Sequence, residues 1–204
     1  MHRGLTRICQ LLILLESAKN SMESKYELFL EDEEIISTCS NREPGSLNVS
    51  SMFDYTNTTF AMDEKGVTIS GNNTVVWDIQ PTDRVQMQSS LWFFERGIWQ
   101  PTTLSLFVFD FCKVMFDSNQ LWYKDYTRHI ANTAEVKETC LRVKGTIIQL
   151  ETYRVDFVIS SVYPLRDGRY ALRYIFTAYD KNEVRRPNVI CFEIKGEFTK
   201  LRSR

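Results

Sequence analysis

The stretch RVQMQSSLWFFE, residues Arg84–Glu95, decides the fold. Its side chains alternate between two faces, as in a β-strand, and one face carries five of them: Val85, Met87, Ser89, Leu91 and Phe93. Arg96-Gly97 then supplies a turn, and residues 99–109 form a second long strand. Both faces of this pair become apolar toward one end, whereas one face of a plain sandwich meets water along its whole length.

The same alternation recurs in the rest of the chain. Residues 26–30 predict a first strand, and residues 67–77 predict a hairpin that turns at Gly71-Asn72-Asn73. Residues 146–159 predict one long strand or a bent pair, and two further segments, 170–178 and 190–198, alternate cleanly. The count is about eight antiparallel strands, which predicts an all-β sandwich or β-cup.

One region departs from the strand pattern. Between residues 111 and 130 the apolar residues follow a helical stripe imperfectly, with a break or cap at Asp117-Ser118-Asn119. A second short helix is predicted from Asn132 or Thr133 to Thr139. We therefore expect a helical insertion near residues 111–139 within the β-structure.

The N-terminus and the cysteines both indicate an exported protein. Residues 1–18 combine a basic start, a short apolar run and small residues, as a signal peptide does, with cleavage between residues 17 and 24. Removing them removes Cys9 and leaves four cysteines. An even set in an exported protein predicts two disulfides. Residues 25–201 are expected to form one domain, without stable membrane insertion.

Three glycosylation motifs agree with export. They begin at Asn48, Asn57 and Asn72, although each could equally be an ordinary turn. The 25 Lys and Arg residues nearly balance the 26 Asp and Glu residues, for a net charge of −1. This balance provides no electrostatic argument for binding to nucleic acid or to an anionic membrane.

The sequence contains little that suggests catalysis. Outside the predicted leader, His129 is the one histidine, and it lacks the motif context of a catalytic triad. One histidine and cysteines engaged in disulfides do not make a metal cluster, and the chain has no phosphate-loop or dinucleotide motif. No particular pair of carboxylates is singled out for glycoside hydrolysis. We expect no enzymatic activity, no metal and no cofactor.

Several segments in order resemble the insect CheB family of secreted chemosensory proteins, which are distantly similar to the ganglioside-activator protein. The segments are EDEEI at 31–35, PGSLN at 44–48, FDY at 53–55, WDIQPTDR at 77–84, ERGIWQP at 95–101, DFCKVMFD at 110–117, GRY at 168–170, RP at 186–187 and ICFE at 190–193. The similarity extends over nearly all of residues 26–201. It implies a lipid-binding β-cup and a role in pheromone detection in the gustatory sensillum lymph.

By this resemblance we expect disulfides between Cys39 and Cys191 and between Cys112 and Cys140. The activator protein has more disulfides than four cysteines allow, so its rim is not fully reproduced and ganglioside binding is not implied. We expect an apolar ligand, such as a cuticular hydrocarbon or a lipid, in a cavity between the sheets. The predicted lining is Leu91, Phe93, Leu106, Phe157, Ile159, Tyr170, Tyr174 and Phe176.

The alternating apolar residues also have a simpler interpretation, since they form the core of any β-sandwich. The alternative function is therefore an extracellular module without a ligand, which contacts a gustatory receptor or an ion channel. Exposed aromatic residues such as Trp92, Trp99 and Trp122 would form that surface.

Overall fold

The computed structural model describes residues 24–31, 35–63, 66–155 and 157–201. The leader predicted for residues 1–18 lies outside them. The strands, in chain order, are β1 (Ser24–Leu30), β2 (Ser37–Thr38), β3 (Phe53–Asp54), β4 (Thr58–Asp63), β5 (Gly66–Val75), β6 (Arg84–Glu95), β7 (Ile98–Val108), β8 (Ile147–Val155), β9 (Val158–Ser161), β10 (Gly168–Tyr179) and β11 (Ile190–Lys200). These strands form a mostly antiparallel all-β fold, which confirms the predicted fold class.

Two sheets contain these strands. The large sheet has the order β7-β6-β10-β11-β1-β9, with β2 paired to β11. The small sheet is centred on β5, which pairs with β3 and β4 along one edge and with β8 along the other. The large sheet curls into a half-barrel, so it has a concave and a convex face.

The alternation predicted for residues 84–95 is visible in the register of the large sheet. Met87 pairs with Phe176 of β10, and Leu91 pairs with Leu172, so apolar residues of neighbouring strands lie side by side. Phe176 in turn pairs with Ile190 of β11. Because side chains point alternately to the two faces of a strand, these rows form a continuous apolar concave face.

The predicted hairpin at Gly71-Asn72-Asn73 is wrong. The chain continues through these residues as the single strand β5, and the register against β8 shifts between Ile69 and Gly71. Gly71 has a φ of +97°, and a Cβ atom there would clash with the carbonyl oxygen of Asn57. The glycine therefore permits a bulge and a close backbone contact, which have the same sequence signature as a turn.

The segment predicted as one long strand or a bent pair is a pair. Strand β8 belongs to the small sheet and β9 belongs to the large sheet. The chain therefore changes from the small sheet to the large sheet between Val155 and Val158.

The helical insertion lies where it is predicted. It contains α1 (Phe111–Val114), α2 (Leu121–Asp125), a 3-10 turn (Thr127–His129) and α3 (Thr133–Thr139). Between α1 and α2, the Asp117 carboxylate accepts a hydrogen bond from the backbone N–H of Asn119 at 3.0 Å. This local side-chain bond stabilises the break in the helix.

Both predicted disulfides are confirmed. Cys39 and Cys191 have a Cα–Cα distance of 5.8 Å, and Cys112 and Cys140 have one of 5.7 Å. The first attaches the segment around β2 to β11, on the convex face of the large sheet. The second ties the start of α1 to the end of α3.

Two groups of buried apolar side chains fill the interior. The inter-sheet core lies between the two sheets and the helical insertion, and includes Phe53, Val75, Trp77, Met87, Phe111, Met115, Trp122, Ile148, Phe176 and Ile190. The curl core lies where the large sheet curls on itself and contains Tyr26, Leu28, Leu91, Tyr170 and Phe198. The concave face runs from one core to the other.

Candidate functional site

The eight residues predicted to line a cavity are divided between the two cores. Three of them, Leu106, Tyr174 and Phe176, pack in or against the inter-sheet core. Those in or against the curl core are Leu91, Phe93, Phe157, Ile159 and Tyr170. Phe176 is buried and packs edge to face against Phe111, with 5.3 Å between the ring centroids. It therefore contributes to packing, and a charge there would disrupt the core.

Between the cores, the concave face is only half covered. The partly buried apolar side chains here form two adjacent rows across the sheet, which we call the apolar strip: Leu104, Leu106, Leu172, Tyr174, Phe192 and Ile194. Leu172 pairs with Ile194, and Tyr174 pairs with Phe192 in the next row. The strip is thus a continuous surface of neighbouring side chains.

Buried residues and a stacked pair of rings hold the side chains of the strip in place. Ser89 and Leu91 of β6 lie within its rows and are buried. The rings of Tyr174 and Phe192 stack, with 5.2 Å between centroids and 24° between planes. Side chains held by such contacts lose little further freedom when a ligand covers them, which lowers the entropic cost of binding.

Two members of the predicted set, Leu106 and Tyr174, lie in the strip. Sequence reasoning missed Leu104, Leu172, Phe192 and Ile194. The sequence did contain a signal for these four residues, since they follow the same alternation as the predicted lining residues. Alternation identifies the face of the sheet, but it does not distinguish a covered position from a half-covered one.

Three tyrosines, Tyr55, Tyr126 and Tyr174, pack against the inter-sheet core, and a fourth, Tyr153, is buried. We call Tyr55, Tyr126, Tyr153 and Tyr174 the tyrosine belt. Burial raises the pKa of Tyr126 to about 12. Burial also raises the pKa of Tyr153 and Tyr174, and the nearby Asp125 carboxylate adds to both increases. These hydroxyls therefore stay protonated at neutral pH and can donate hydrogen bonds.

The belt joins separate parts of the fold. Tyr153 lies on β8 of the small sheet, Tyr126 precedes the 3-10 turn of the insertion, and Tyr174 lies on β10 of the large sheet. The His129 ring stacks on Tyr153 at 3.8 Å between centroids. Side chains from three separate elements therefore contribute to the belt.

The convex face carries a different arrangement, a ladder of arginines and aromatic rings. The Arg173 guanidinium lies 3.9 Å from the centre of the Trp92 ring, and the Arg169 guanidinium lies 4.6 Å from that of Phe94. Arg169 is also 5.9 Å from the Trp99 ring. Contacts of this kind are cation–π interactions.

A buried ion pair lies beneath this ladder. Glu193 is 0% exposed and Arg173 is 6% exposed, and their nearest side-chain atoms are 2.6 Å apart. Ser40 donates to the second carboxylate oxygen from its backbone N–H and its hydroxyl, both at 3.2 Å, and Lys195 lies 3.2 Å from it. The two charges are buried together because their hydrogen bonds compensate for lost hydration.

The prediction that Trp122 is exposed is wrong. Trp122 is 8% exposed, and its indole N–H donates to the carbonyl of Met115 at 2.9 Å. It belongs to the inter-sheet core, where it packs against Phe111. Trp92 and Trp99 are half-buried in the convex ladder.

A separate cleft of about 240 Å³ lies on the surface, and none of the predicted ligand residues lines it. Its walls are Glu43, Pro44, Gly45, Ser46, Arg185, Arg186, Pro187 and Val189. Two of these residues, Arg185 and Glu43, form an ion pair with 2.7 Å between the closest atoms. The cleft is lined by both charged and apolar residues, in contrast to the strip.

The predicted glycosylation sites lie away from the concave face. Asn57 and Asn72 are exposed, and Asn48 is half-buried at the start of the Val49–Ser51 turn. Thr58, in the motif of Asn57, donates to the backbone carbonyl of Asn72 at 2.7 Å, so two of the motifs are neighbours in space. Their glycosylation remains a prediction.

Comparisons with known proteins add no assignment to this geometry. No model of a protein family matches the chain, and a search of curated proteins gives no match. In the described parts of the chain, no helix has the length and apolar character needed to cross a membrane. Over those same residues, no group of three or more His, Cys, Asp and Glu side chains is arranged to hold a metal ion.

Proposed function

We propose that this protein is a secreted carrier that binds a long-chain apolar ligand along the apolar strip. The observation that supports this proposal is the strip itself, six neighbouring apolar side chains left half-covered on a concave face. Contiguous apolar surface of this kind is commonly a binding site. The resemblance to the CheB family suggests pheromone-like hydrocarbons or lipids as ligands and gustatory detection as the setting.

The chemistry of the strip suits a flexible chain. Each ligand methylene that leaves water for apolar surface contributes about 0.8 kcal/mol. A handful of methylenes therefore exceeds the cost of association and gives micromolar binding. One methylene more or less changes the affinity by about 1–3 kcal/mol at best, so the strip selects ligands weakly by length.

Mass spectrometry of a solvent extract of the secreted, folded protein tests the proposal first. A stoichiometric hydrocarbon or lipid would support it and identify the ligand class. A blank extract, followed by failure to take up N-phenylnaphthylamine or long-chain probes, would contradict it.

Two matched variants on one strand assign the binding to the strip. Leu106 lies on the concave side of β7, and the adjacent Phe107 is 59% exposed on the opposite side. We expect Leu106→Asp to weaken probe binding at least about tenfold, because it places a charge against the ligand chain. Phe107→Asp is the control and should leave binding unchanged; equal effects of the two variants would argue against the strip.

The convex ladder supports the alternative proposal, a module without a ligand that modulates a receptor or channel. Tryptophan and arginine are the residues most enriched at binding hot spots, and Trp92, Trp99 and Arg169 lie together here. Trp99→Ala should then abolish the chemosensory effect of the protein while leaving ligand uptake intact. Loss of the effect in Leu106→Asp alone would favour the carrier.

A further inference from the structure

Asn73 is a polar residue on the inner, apolar face of the small sheet. It is 2% exposed and pairs in register with Ile148 of β8, while Val75, the next inward residue along β5, is fully buried. Its Nδ2 donates to the hydroxyl of Tyr126 at 3.5 Å. Its Oδ1 is buried and has no hydrogen-bond partner within the described residues.

An unpartnered buried amide oxygen is unusual. Burying a polar group without a hydrogen bond destabilises the folded protein, and most buried polar groups in native proteins are paired. A leucine has nearly the same shape and would fill this place without that penalty. An asparagine here therefore indicates a group that supplies a hydrogen-bond donor.

Tyrosine side chains lie near Asn73. Tyr126, its partner, is close enough to Tyr55 and Tyr153 to raise the pKa of both beyond the effect of burial. Asp125 acts in the same way on Tyr153 and on Tyr174. Tyr126, the hydrogen-bond partner of Asn73, and Tyr174, a member of the apolar strip, both pack against the inter-sheet core.

We infer that Asn73 and the tyrosine belt bind the polar end group of an amphiphilic ligand whose chain lies on the apolar strip. This inference rests on the proposed carrier function and specifies its substrate class. Asn73 Oδ1 accepts a hydrogen bond, so the end group has to donate one, as a primary alcohol does. The tyrosine hydroxyls can both donate to that alcohol oxygen and accept from its proton.

The same chemistry discriminates against two related ligands. A fatty acid would bring a second carboxylate toward Asp125, and like charges repel. A plain hydrocarbon would leave Asn73 Oδ1 unpaired, so it would gain the chain contacts alone. The expected order of affinity is alcohol first, with the hydrocarbon and the acid weaker.

Competition for bound N-phenylnaphthylamine by hexadecanol, hexadecane and hexadecanoic acid tests this order. We expect the full-length secreted protein to bind the alcohol about tenfold more tightly than the other two. In Asn73→Leu the alcohol should lose about tenfold in affinity while hexadecane is unaffected. The substitution keeps the glycosylation motif of Asn72, since its middle position accepts leucine.

Tyr126→Phe is a second variant, which removes the hydroxyl that Asn73 contacts and keeps the ring. It should reduce the alcohol preference in the same direction, so the inference stays testable even if Asn73→Leu fails to fold. An unchanged alcohol preference in a folded variant would overturn the inference, as would wild-type binding of all three compounds with equal affinity. If none of the three compounds bound, the proposed carrier function would be overturned as well.

Discussion

The two faces of the large sheet differ in which side chains they bury. On the concave face, apolar residues such as Leu172 and Ile194 are left half-covered. On the convex face, the charged residues Arg173 and Glu193 are almost completely covered. A protein gains stability by covering the first kind of surface, and it covers the second kind only when the charges are paired.

The two faces also differ in what holds their covering segments in place. The segment that carries Cys39 and Ser40 closes over the convex face, and a disulfide and hydrogen bonds hold it there. The strip residues are instead only partly buried, through packing against the two cores. The convex face is therefore the locked side of the sheet, and the concave face offers surface to a ligand. The experiments below test this difference between the convex and the concave face.

The largest loss of stability is expected from removing the convex disulfide. Cys39→Ala with Cys191→Ala opens a loop with a sequence separation of 152. The chain-entropy relation predicts a loss of about 5 kcal/mol. Urea denaturation followed by tryptophan fluorescence measures it. A loss below about 1 kcal/mol would mean that the segment around β2 stays on the convex face without its covalent link.

Breaking the buried ion pair is expected to have the next largest effect. Arg173→Leu leaves the Glu193 carboxylate buried without its guanidinium partner and should destabilise the fold by about 3–5 kcal/mol. The same urea titration applies. Replacing both residues by leucine should cost less than Arg173→Leu alone, because the buried carboxylate is removed together with its guanidinium partner.

Arg166→Leu provides the control for that variant. Arg166 pairs with Glu95, but 66% of its side chain is exposed. Exposed ion pairs contribute little, so the urea midpoint should stay unchanged. A loss equal to that of Arg173→Leu would show that burial is not what distinguishes the two arginines.

Removing the disulfide of the helical insertion should cost somewhat less. Cys112→Ala with Cys140→Ala opens a loop with a sequence separation of 28, for which about 3–4 kcal/mol is expected. This bridge lies beside the inter-sheet core, so the variant should also weaken probe binding at the strip. Unchanged binding in a destabilised variant would separate the strip from the insertion.

The smallest effect concerns His129 at the edge of the tyrosine belt. Burial and the charge of Arg128 lower the pKa of His129 below its ordinary value of 6.5. The folded protein therefore binds this proton less well than the unfolded chain. The resulting destabilisation is absent above the unfolded-state pKa of His129. As the pH falls from that value toward the lower folded-state pKa, the free energy of unfolding decreases.

His129→Phe keeps an aromatic ring against Tyr153 and removes the titration. Unfolding curves at pH 7 and pH 5 should show a slightly smaller acid-induced loss in this variant than in the wild type. A larger loss in the variant would mean that folding favours the protonated imidazole and raises the pKa of His129 instead of lowering it.

Local patterns in the sequence were enough to predict several elements. The two faces of Arg84–Glu95 follow from its alternation, since the direction of a strand side chain depends only on its position in the chain. The break at Asp117 follows in the same way, because its carboxylate binds the backbone of Asn119 two residues on. The disulfide pairing came from the family resemblance, because four cysteines by themselves allow three pairings.

The tertiary structure alone decided which of these residues form a site. Gly71 became a bulge because the Asn57 backbone packs against it, and Trp122 became core because the insertion folds onto the sheets. The strip exists because its six residues flank the two cores and are only partly buried by them. Burial depends on which distant segments cover a residue, and Asn73 acquired its unpaired oxygen only through that packing. A pattern in the sequence shows where a side chain points, and the rest of the fold determines what it meets there.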